Sequence, residues 1–335
     1  MRYYNIPIFI PELACPFQCI YCDQRKITGQ SHFVNELEIT STIESYLETI
    51  PKENTYIQLA FFGGTFTGLS IENQKQYLEL VQPYIVSKQI QGIRISTRPD
   101  YITEEILKVL KQYNVTNIEL GAQSLIDEVL EKIHRGHTYY DVKIASDLII
   151  KHGFTLGLQM MLGLPADTKE YSLETAKRII ELGATETRIY PTLVINGTAL
   201  DTLLDKGKYS AMTTLEAVEQ SAELFQLFHK HNVKVLRIGL YPSEDLLNEE
   251  VVAGPDMRHF KEKVMTQIWN KKLISIIPKS IENKQALIYT AKNQLNFANG
   301  FKAGNKLMLL KHFKKVKFKV DSSLKDFEYY VNYSR

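Results

Sequence analysis

The sequence predicts an α/β protein: a complete or partial (β/α)6-type barrel of the TIM kind, followed by a small basic α+β extension. Two observations carry this. Over the first two thirds, short β-rich runs alternate with amphipathic stretches, the pattern of parallel strands joined by helical crossovers. After about Pro255 that alternation fades into lysine-rich sequence. A length of 335 residues suits one large barrel or two modest domains, and the division expected is 1–240 for the barrel and 241–335 for the extension.

Strands are expected at Ile6 to Ile10, Ile57 to Phe62, Ile93 to Thr97, Asn117 to Leu120, Thr155 to Met161, Glu186 to Tyr190 and Val235 to Gly239. Between them, apolar residues recur every three or four positions over Glu36 to Ile50, Asn73 to Val86 and Thr103 to Gln112, which predicts helices. Thr103 followed by Glu104 and Glu105 is a helix start, with a capping hydroxyl and acids in the first turn. Further helices are expected at Asp127 to Ile133, Tyr140 to Lys151, Ser172 to Leu182 and Leu215 to Lys230. The extension holds apolar runs at Leu273 to Ile277, Ala286 to Tyr289 and Val316 to Val320, read as β-containing. Its aromatics Phe301, Phe313, Phe318, Phe327, Tyr329 and Tyr330 fit a small core under a sheet better than a row of base-stacking side chains. Ala253 to Arg258 reads as a turn over the barrel mouth.

Composition narrows the function classes. Hydrophobic content of 44% with 23% charged residues is that of a packed protein, and no run approaches the roughly 18 apolar residues that cross a bilayer. The run Ile6 to Ile10, broken by Pro7 and bounded by Pro11, lacks a cleavage pattern, so a cytoplasmic protein is expected. The net charge of +2 hides an asymmetry: residues 258–335 carry 17 Lys and Arg against 5 Asp and Glu, a net +12, leaving −10 on residues 1–257. Such a split marks either a nucleic-acid contact surface or a solvated lysine face.

The three cysteines are Cys15, Cys19 and Cys22, crowded into one CxxxCxxC loop after the first strand. An odd number so close together is no disulfide framework; three thiolates from one loop hold a metal or a cluster. Barrel chemistry sits on loops at the C-terminal ends of strands, which is where this loop falls. A Cys3His zinc site completed by His32 is the competing reading.

Cys15-Pro-Phe-Gln-Cys19-Ile-Tyr21-Cys22 resembles the cluster loop of the radical S-adenosylmethionine superfamily. Phe62-Gly63-Gly64-Thr65-Phe66 resembles that family's glycine motif, with Thr65 in place of the usual acid. Within the superfamily the likeness is to the radical domain of the Elongator catalytic subunit and its bacterial relatives. It is carried by Ser96-Thr97-Arg98-Pro99-Asp100, Glu119-Leu120-Gly121-Ala122-Gln123-Ser124, Leu162-Gly163-Leu164-Pro165 and Ile189 to Thr198. The resemblance implies that Cys15, Cys19 and Cys22 bind a [4Fe-4S] cluster with one iron open to S-adenosyl-L-methionine. It implies a cofactor site formed by Tyr21, Gly63, Gly64, Thr65, Ser96, Gln123, Arg135 and Gln159, with Gln123 and Arg135 touching the nucleoside and the methionine carboxylate. The activity implied is reductive cleavage of S-adenosylmethionine to a 5′-deoxyadenosyl radical that abstracts hydrogen from a substrate, fed by an external flavodoxin- or ferredoxin-type donor.

Departures limit this transfer. Ser96 stands where relatives often carry an acid, and the Elongator subunits space their cysteines farther apart at the first gap. They also carry an acetyltransferase domain for which 335 residues leave no room, so acetyl transfer is not implied. With all cysteines in one loop, an auxiliary Cys-ligated cluster and a methyl transfer needing further cysteines are excluded. Three readings stay open: a radical enzyme acting on tRNA through its basic region, a small-molecule oxidoreductase like coproporphyrinogen oxidase, and a non-enzymatic zinc or iron–sulfur RNA-binding protein. No residue acting on substrate is identified; Arg237, near the end of the last strand, is a candidate for reaching it, and His137 reads as structural.

Overall fold

The computed structural model describes residues 1–10, 15, 18–28, 34–240, 246–277 and 285–334, the side chains of 247 and 248 excepted. It divides into two compact units, 1–213 with 228–255, and 214–227 with 256–335.

The first unit is built on a seven-stranded parallel sheet. Its strands are β1 (Arg2–Ile10), β2 (Thr55–Gly63), β3 (Gly92–Thr97), β4 (Val115–Gln123), β5 (Thr155–Leu162), β6 (Glu186–Pro191) and, after the short β7 (Val194–Ile195), β8 (Lys234–Ile238). They pair in the order β1-β2-β3-β4-β5-β6-β8, every contact parallel. No backbone pairing joins β8 to β1, although Lys234 Nζ lies 4.4 Å from the ring centre of Tyr3. The expected partial barrel is therefore what forms: a sheet curled until its two edges face each other across an unpaired seam.

Local chemistry explains the crossovers. Helix Glu36–Thr49 starts with a capping box between Asn35 and Glu38, and Tyr139–Lys151 with one between Thr138 and Asp141. Thr103 caps Glu104–Gln112 through Ile106 N, and Leu107 and Leu110 bury the apolar face of that helix. The stretch 73–86, expected as one helix, is two, Ile71–Glu79 and Gln82–Val86, with Pro83 in the first turn of the second. A proline interrupts a running helix but fits its opening turn. Helix Ala199–Asp205 and the pair formed by β7 with β9 (Val251–Ala253) carry no usable periodicity and escape a sequence reading. Within the expected turn, Ala253 belongs to β9, where it pairs with Val194.

The sheet alternates in an unusual sense. Side chains facing the helices are apolar, among them Ile57, Leu59 and Phe61 on β2 and Ile93 and Ile95 on β3, all buried. The alternate positions carry Gln58, Arg94, Asn117, Glu119, Gln159, Glu186 and Arg188. Glu119 receives Arg94 Nη1 at 2.8 Å and Arg188 Nη2 at 2.9 Å, and Arg94 Nη1 also reaches Glu186 at 2.7 Å. Gln58 and Asn117 complete the lower layer, Gln58 donating to Asn117 Oδ1 at 2.7 Å and Asn117 to Glu186 at 3.0 Å. Two cations and two carboxylates thus neutralise each other in the barrel interior. Burial alone would raise the Glu119 carboxyl, but Arg188 and Arg94 hold it down at about 2.

The second unit contains a three-stranded sheet, β11 (Lys315–Val320), β10 (Gln285–Thr290) and β12 (Tyr329–Ser334), with β10 central, parallel to β11 and antiparallel to β12. Its core gathers Trp269, Leu273, Ala286, Ile288, Leu309, Phe313 and Val316, with Phe318, Phe327 and Tyr329 packed against it. The run Leu273 to Ile277, read as β-containing, instead ends the helix Phe260–Ile274 and the turn after it. Spacing decides this: Met265, Trp269 and Leu273 recur every four residues and are buried, while Ile274 is exposed.

Candidate active site

At the C-terminal ends of the strands a cavity of about 110 Å³ opens. Cys15, Cys19 and Cys22 line it together with Tyr21, Gly63, Gly64, Thr65, Ser96, Gln123, Arg135 and Gln159. Every residue that the resemblance assigns to the cluster or to the cofactor therefore reaches one space. Arg98, Thr97 and Gly121 line it too.

Each sulfur has its own polar neighbour. Arg135 Nη1 donates to Cys19 Sγ at 3.5 Å and Gln24 Nε2 to Cys22 Sγ at 3.4 Å, while Cys15 Sγ meets Thr65 Oγ1 at 3.5 Å. Donors of this kind stabilise thiolates. Among the described residues no three His, Cys, Asp or Glu side chains gather closely enough for one metal ion, and His32 lies outside the described residues. Thiolates that each hold a separate corner of a cluster need share only a cavity. Tyr21 sits beside the sulfurs, 8% exposed, its phenol pushed far above its ordinary value by burial and by Cys19.

The glycine loop is held from below. Gly63 adopts φ +97°, and a Cβ there would stand 2.4 Å from the Ile10 carbonyl oxygen, which instead accepts from Gly64 N at 2.9 Å. No other residue type fits that position. Phe66 anchors the loop from the helix side, stacked on Phe61 at 4.9 Å, and the Thr67 and Thr97 hydroxyls meet at 2.6 Å, tying the loop to the end of β3.

Arg135 is positioned by residues whose motif was visible but whose role was not. Arg98, 1% exposed, grips Asp100 in a two-pronged fork, 2.9 Å on each arm, and its Nη2 also holds the Arg135 carbonyl at 2.7 Å. The Arg135 guanidinium donates to Gly121 O at 2.7 Å, and a Cβ on Gly121 would press on Arg135 Nη2 at 3.0 Å and Gln123 Nε2 at 3.1 Å. Gln123 is a non-glycine residue at φ +65°, a costly backbone state that clusters at functional sites. Gln123 Oε1 and Arg135 Nε are buried without a hydrogen-bond partner, the condition in which a missing ligand is expected. Gln159 is fixed by two bonds, to Ser96 Oγ at 3.0 Å and Glu119 Oε2 at 3.1 Å. His137 is buried without a partner for either ring nitrogen; burial, then the Arg135 and Arg98 cations, pushes it down to about 2, so it stays neutral.

A second cavity of about 300 Å³ continues from the first. It shares Tyr21, Cys22, Gly63, Ser96, Gln123 and Gln159, and extends to Pro7, Phe9, Phe62, Met161, Arg188, Tyr190 and Arg237. The Arg188 guanidinium lies 4.9 Å from the centre of the Phe62 ring. Arg188 escaped the sequence reading, because its partner Glu119 is 69 residues away; Arg237, flagged as a strand-end candidate, does line this space.

The profile of the radical SAM superfamily matches residues 10–179, and that of the Radical_SAM C-terminal domain residues 185–270. An uncharacterized protein of Methanocaldococcus jannaschii is 27% identical over 78% of this chain and 77% of its own. The heme chaperone HemW of Bacillus subtilis is 29% identical over 64% of the chain, and a tRNA uridine(34) acetyltransferase of M. jannaschii 31% over 55%. The matches span 56% and 37% of those two relatives. Among solved structures, the archaeal Methanocaldococcus infernus Elp3 lacking its first 46 residues superposes with a TM-score of 0.63 at 22% identity, over 81% of this chain and 63% of that one. Among the described residues no helix is long and apolar enough to cross a membrane.

Proposed function

The chain belongs to the radical SAM superfamily, and on that premise we propose that it is a hydrogen-abstracting radical enzyme whose substrate is a tRNA nucleoside. Membership implies a [4Fe-4S] cluster and S-adenosylmethionine, and the residues present suit both: three thiols outside any disulfide on one cavity, a glycine cradle, and buried polar atoms of Gln123 and Arg135 lacking partners. Cys15, Cys19 and Cys22 would hold the cluster. Gly63 to Thr65, Ser96, Gln123, Arg135 and Gln159, with Tyr21, would hold the sulfonium nucleoside. When bound, the pair supplies one-electron reductive cleavage of a C–S bond and the hydrogen abstraction that follows.

The rest is the work of this chain. Arg135 carries a planar cation suited to a carboxylate and is kept in place by Arg98 through its own carbonyl. Gln159, locked between Ser96 and Glu119, presents a fixed amide edge at the passage between the two cavities. The larger cavity, walled by Phe9, Phe62, Tyr190 and the Arg188 and Arg237 side chains, would receive the reacting group of the substrate. Residues 1–240 would carry the radical chemistry and 241–335 the basic extension, with the electron delivered by an external flavodoxin- or ferredoxin-type donor.

The observation that carries this reading is the convergence of all three cysteines and the glycine loop on one cavity at the strand ends. A small-molecule substrate is the second reading, favoured by the likeness to the heme chaperone and by the larger cavity that adjoins the cysteines. The test is anaerobic reconstitution with iron and sulfide, dithionite reduction and assay for 5′-deoxyadenosine. Its absence from protein carrying a full cluster would overturn the radical reading; turnover only with a porphyrin-type compound, and none with tRNA, would overturn the substrate assignment.

A further inference from the structure

The sheet of the second unit has two unlike faces. Ala286, Ile288, Val316 and Phe318 point into its core. Strand alternation puts the other set on the opposite face. The register aligns that set in three rows: Lys315, Gln285 and Ser334; Lys317, Leu287 and Asn332; Lys319, Tyr289 and Tyr330. None of the nine is acidic. Lys315, Lys317 and Lys319 are all exposed. Beside them the Tyr289 and Tyr330 rings stack at 4.7 Å and 13°, and Tyr330, 40% exposed, is steadied by its hydroxyl donating to Asp321 at 2.9 Å.

We propose that this face binds a single-stranded stretch of nucleic acid, with bases on the Tyr289–Tyr330 pair and phosphates along the Lys315–Lys317–Lys319 ladder. Lysines on an edge strand alone would serve to discourage strand-to-strand aggregation. The stacked aromatic pair in the same row goes beyond that need, since it places π surface next to cations, the two elements that bind unpaired bases and their backbone. A duplex hides its base faces and could use only the lysines. Charge complementarity selects the occupant, because residues 258–335 carry +12. This inference rests on the tRNA reading above, yet its test needs neither cluster nor S-adenosylmethionine.

The full-length chain is titrated against a labelled single-stranded RNA of roughly ten nucleotides, the same sequence as a duplex, and polyglutamate, by fluorescence anisotropy at several salt concentrations. Single-stranded RNA is expected to bind tightest. Combined Lys315→Gln, Lys317→Gln and Lys319→Gln substitutions should lower the slope of log K against log salt by about 2, three contacts at ~0.7 each. Tyr330→Leu should weaken binding about tenfold, while Tyr330→Phe, which keeps the ring, should bind as the parent does. An unchanged salt slope, equal binding by Tyr330→Leu and the parent, or duplex or polyglutamate binding as tightly as the single strand, would each overturn the proposal. Formation of 5′-deoxyadenosine by the same proteins, after reconstitution with iron and sulfide and addition of S-adenosylmethionine and dithionite, separates its failure from that of the cofactor reading.

Discussion

Glu119→Gln is expected to be the most costly conservative change in the barrel interior. Glu119 is 1% exposed and lies between Arg94 and Arg188, themselves 3% and 6% exposed. Removing its charge leaves Arg94 with Glu186 alone and takes from Arg188 the carboxylate it is bonded to, a net positive charge among buried side chains. Breaking a buried pair in this way costs about 3–5 kcal/mol. A second route agrees: a carboxyl held at about 2 instead of 4.5 contributes about 3 kcal/mol at neutral pH. The sign follows from the direction of the shift. Because the folded value lies below the unfolded one, the stabilisation is complete above the unfolded value and is lost as pH falls toward 2, so by pH 3 about 1 kcal/mol remains. Urea unfolding of parent and variant at pH 7 and pH 3 measures both figures, and adding Arg188→Met should recover part of the loss by restoring neutrality. A cost under about 1 kcal/mol at pH 7, or the same cost at both pH values, would refute the reasoning. The substitution also alters the oxygen that accepts from Gln159, so S-adenosylmethionine affinity should fall with stability.

Gly63→Ala should cost about 2 kcal/mol or more in unfolding free energy and at least tenfold in S-adenosylmethionine affinity by equilibrium dialysis, because φ +97° and a Cβ 2.4 Å from the Ile10 oxygen force the loop to move. Wild-type affinity in that variant would show that the loop does not cradle ligand. Thr65→Val removes the hydroxyl beside Cys15 Sγ and should lower the midpoint potential of the reconstituted cluster by about 40 mV, the equivalent of about 1 kcal/mol for one electron, in a spectroscopic redox titration; an unmoved potential would sink the role assigned to Thr65.

How far the sequence could be read depended on the range of each interaction. The seven parallel strands and most crossovers follow from local periodicity and capping residues such as Thr103 and Thr138, and they appear where expected. The three cysteines and the glycine loop were legible as short motifs at strand ends, Gln123 and Arg135 only through the family resemblance, and the fold brings them to one cavity. What stayed hidden depends on pairing across long separations. Nothing around Arg188 reveals that it meets Glu119, or around Arg94 that it meets Glu186, and two-residue strands such as β7 are too short to show a period. Gln159, expected as a cofactor contact, is bonded to the interior carboxylate and also lines the cavity, a pairing across forty residues that no local pattern shows.

The unzipped line between β8 and β1 leaves one side of the barrel without a main-chain ladder. Along every other strand boundary, widening the mouth would tear a ladder of main-chain hydrogen bonds, whereas here the contact described is the Lys234 ammonium on the Tyr3 ring, worth about 0.5–1 kcal/mol. Pro7 and Phe9 on one lip and Arg237 and Leu240 on the other border the larger cavity, so spreading the lips enlarges the chamber directly. A bulky molecule can thus insert one reactive moiety sideways without unravelling the sheet.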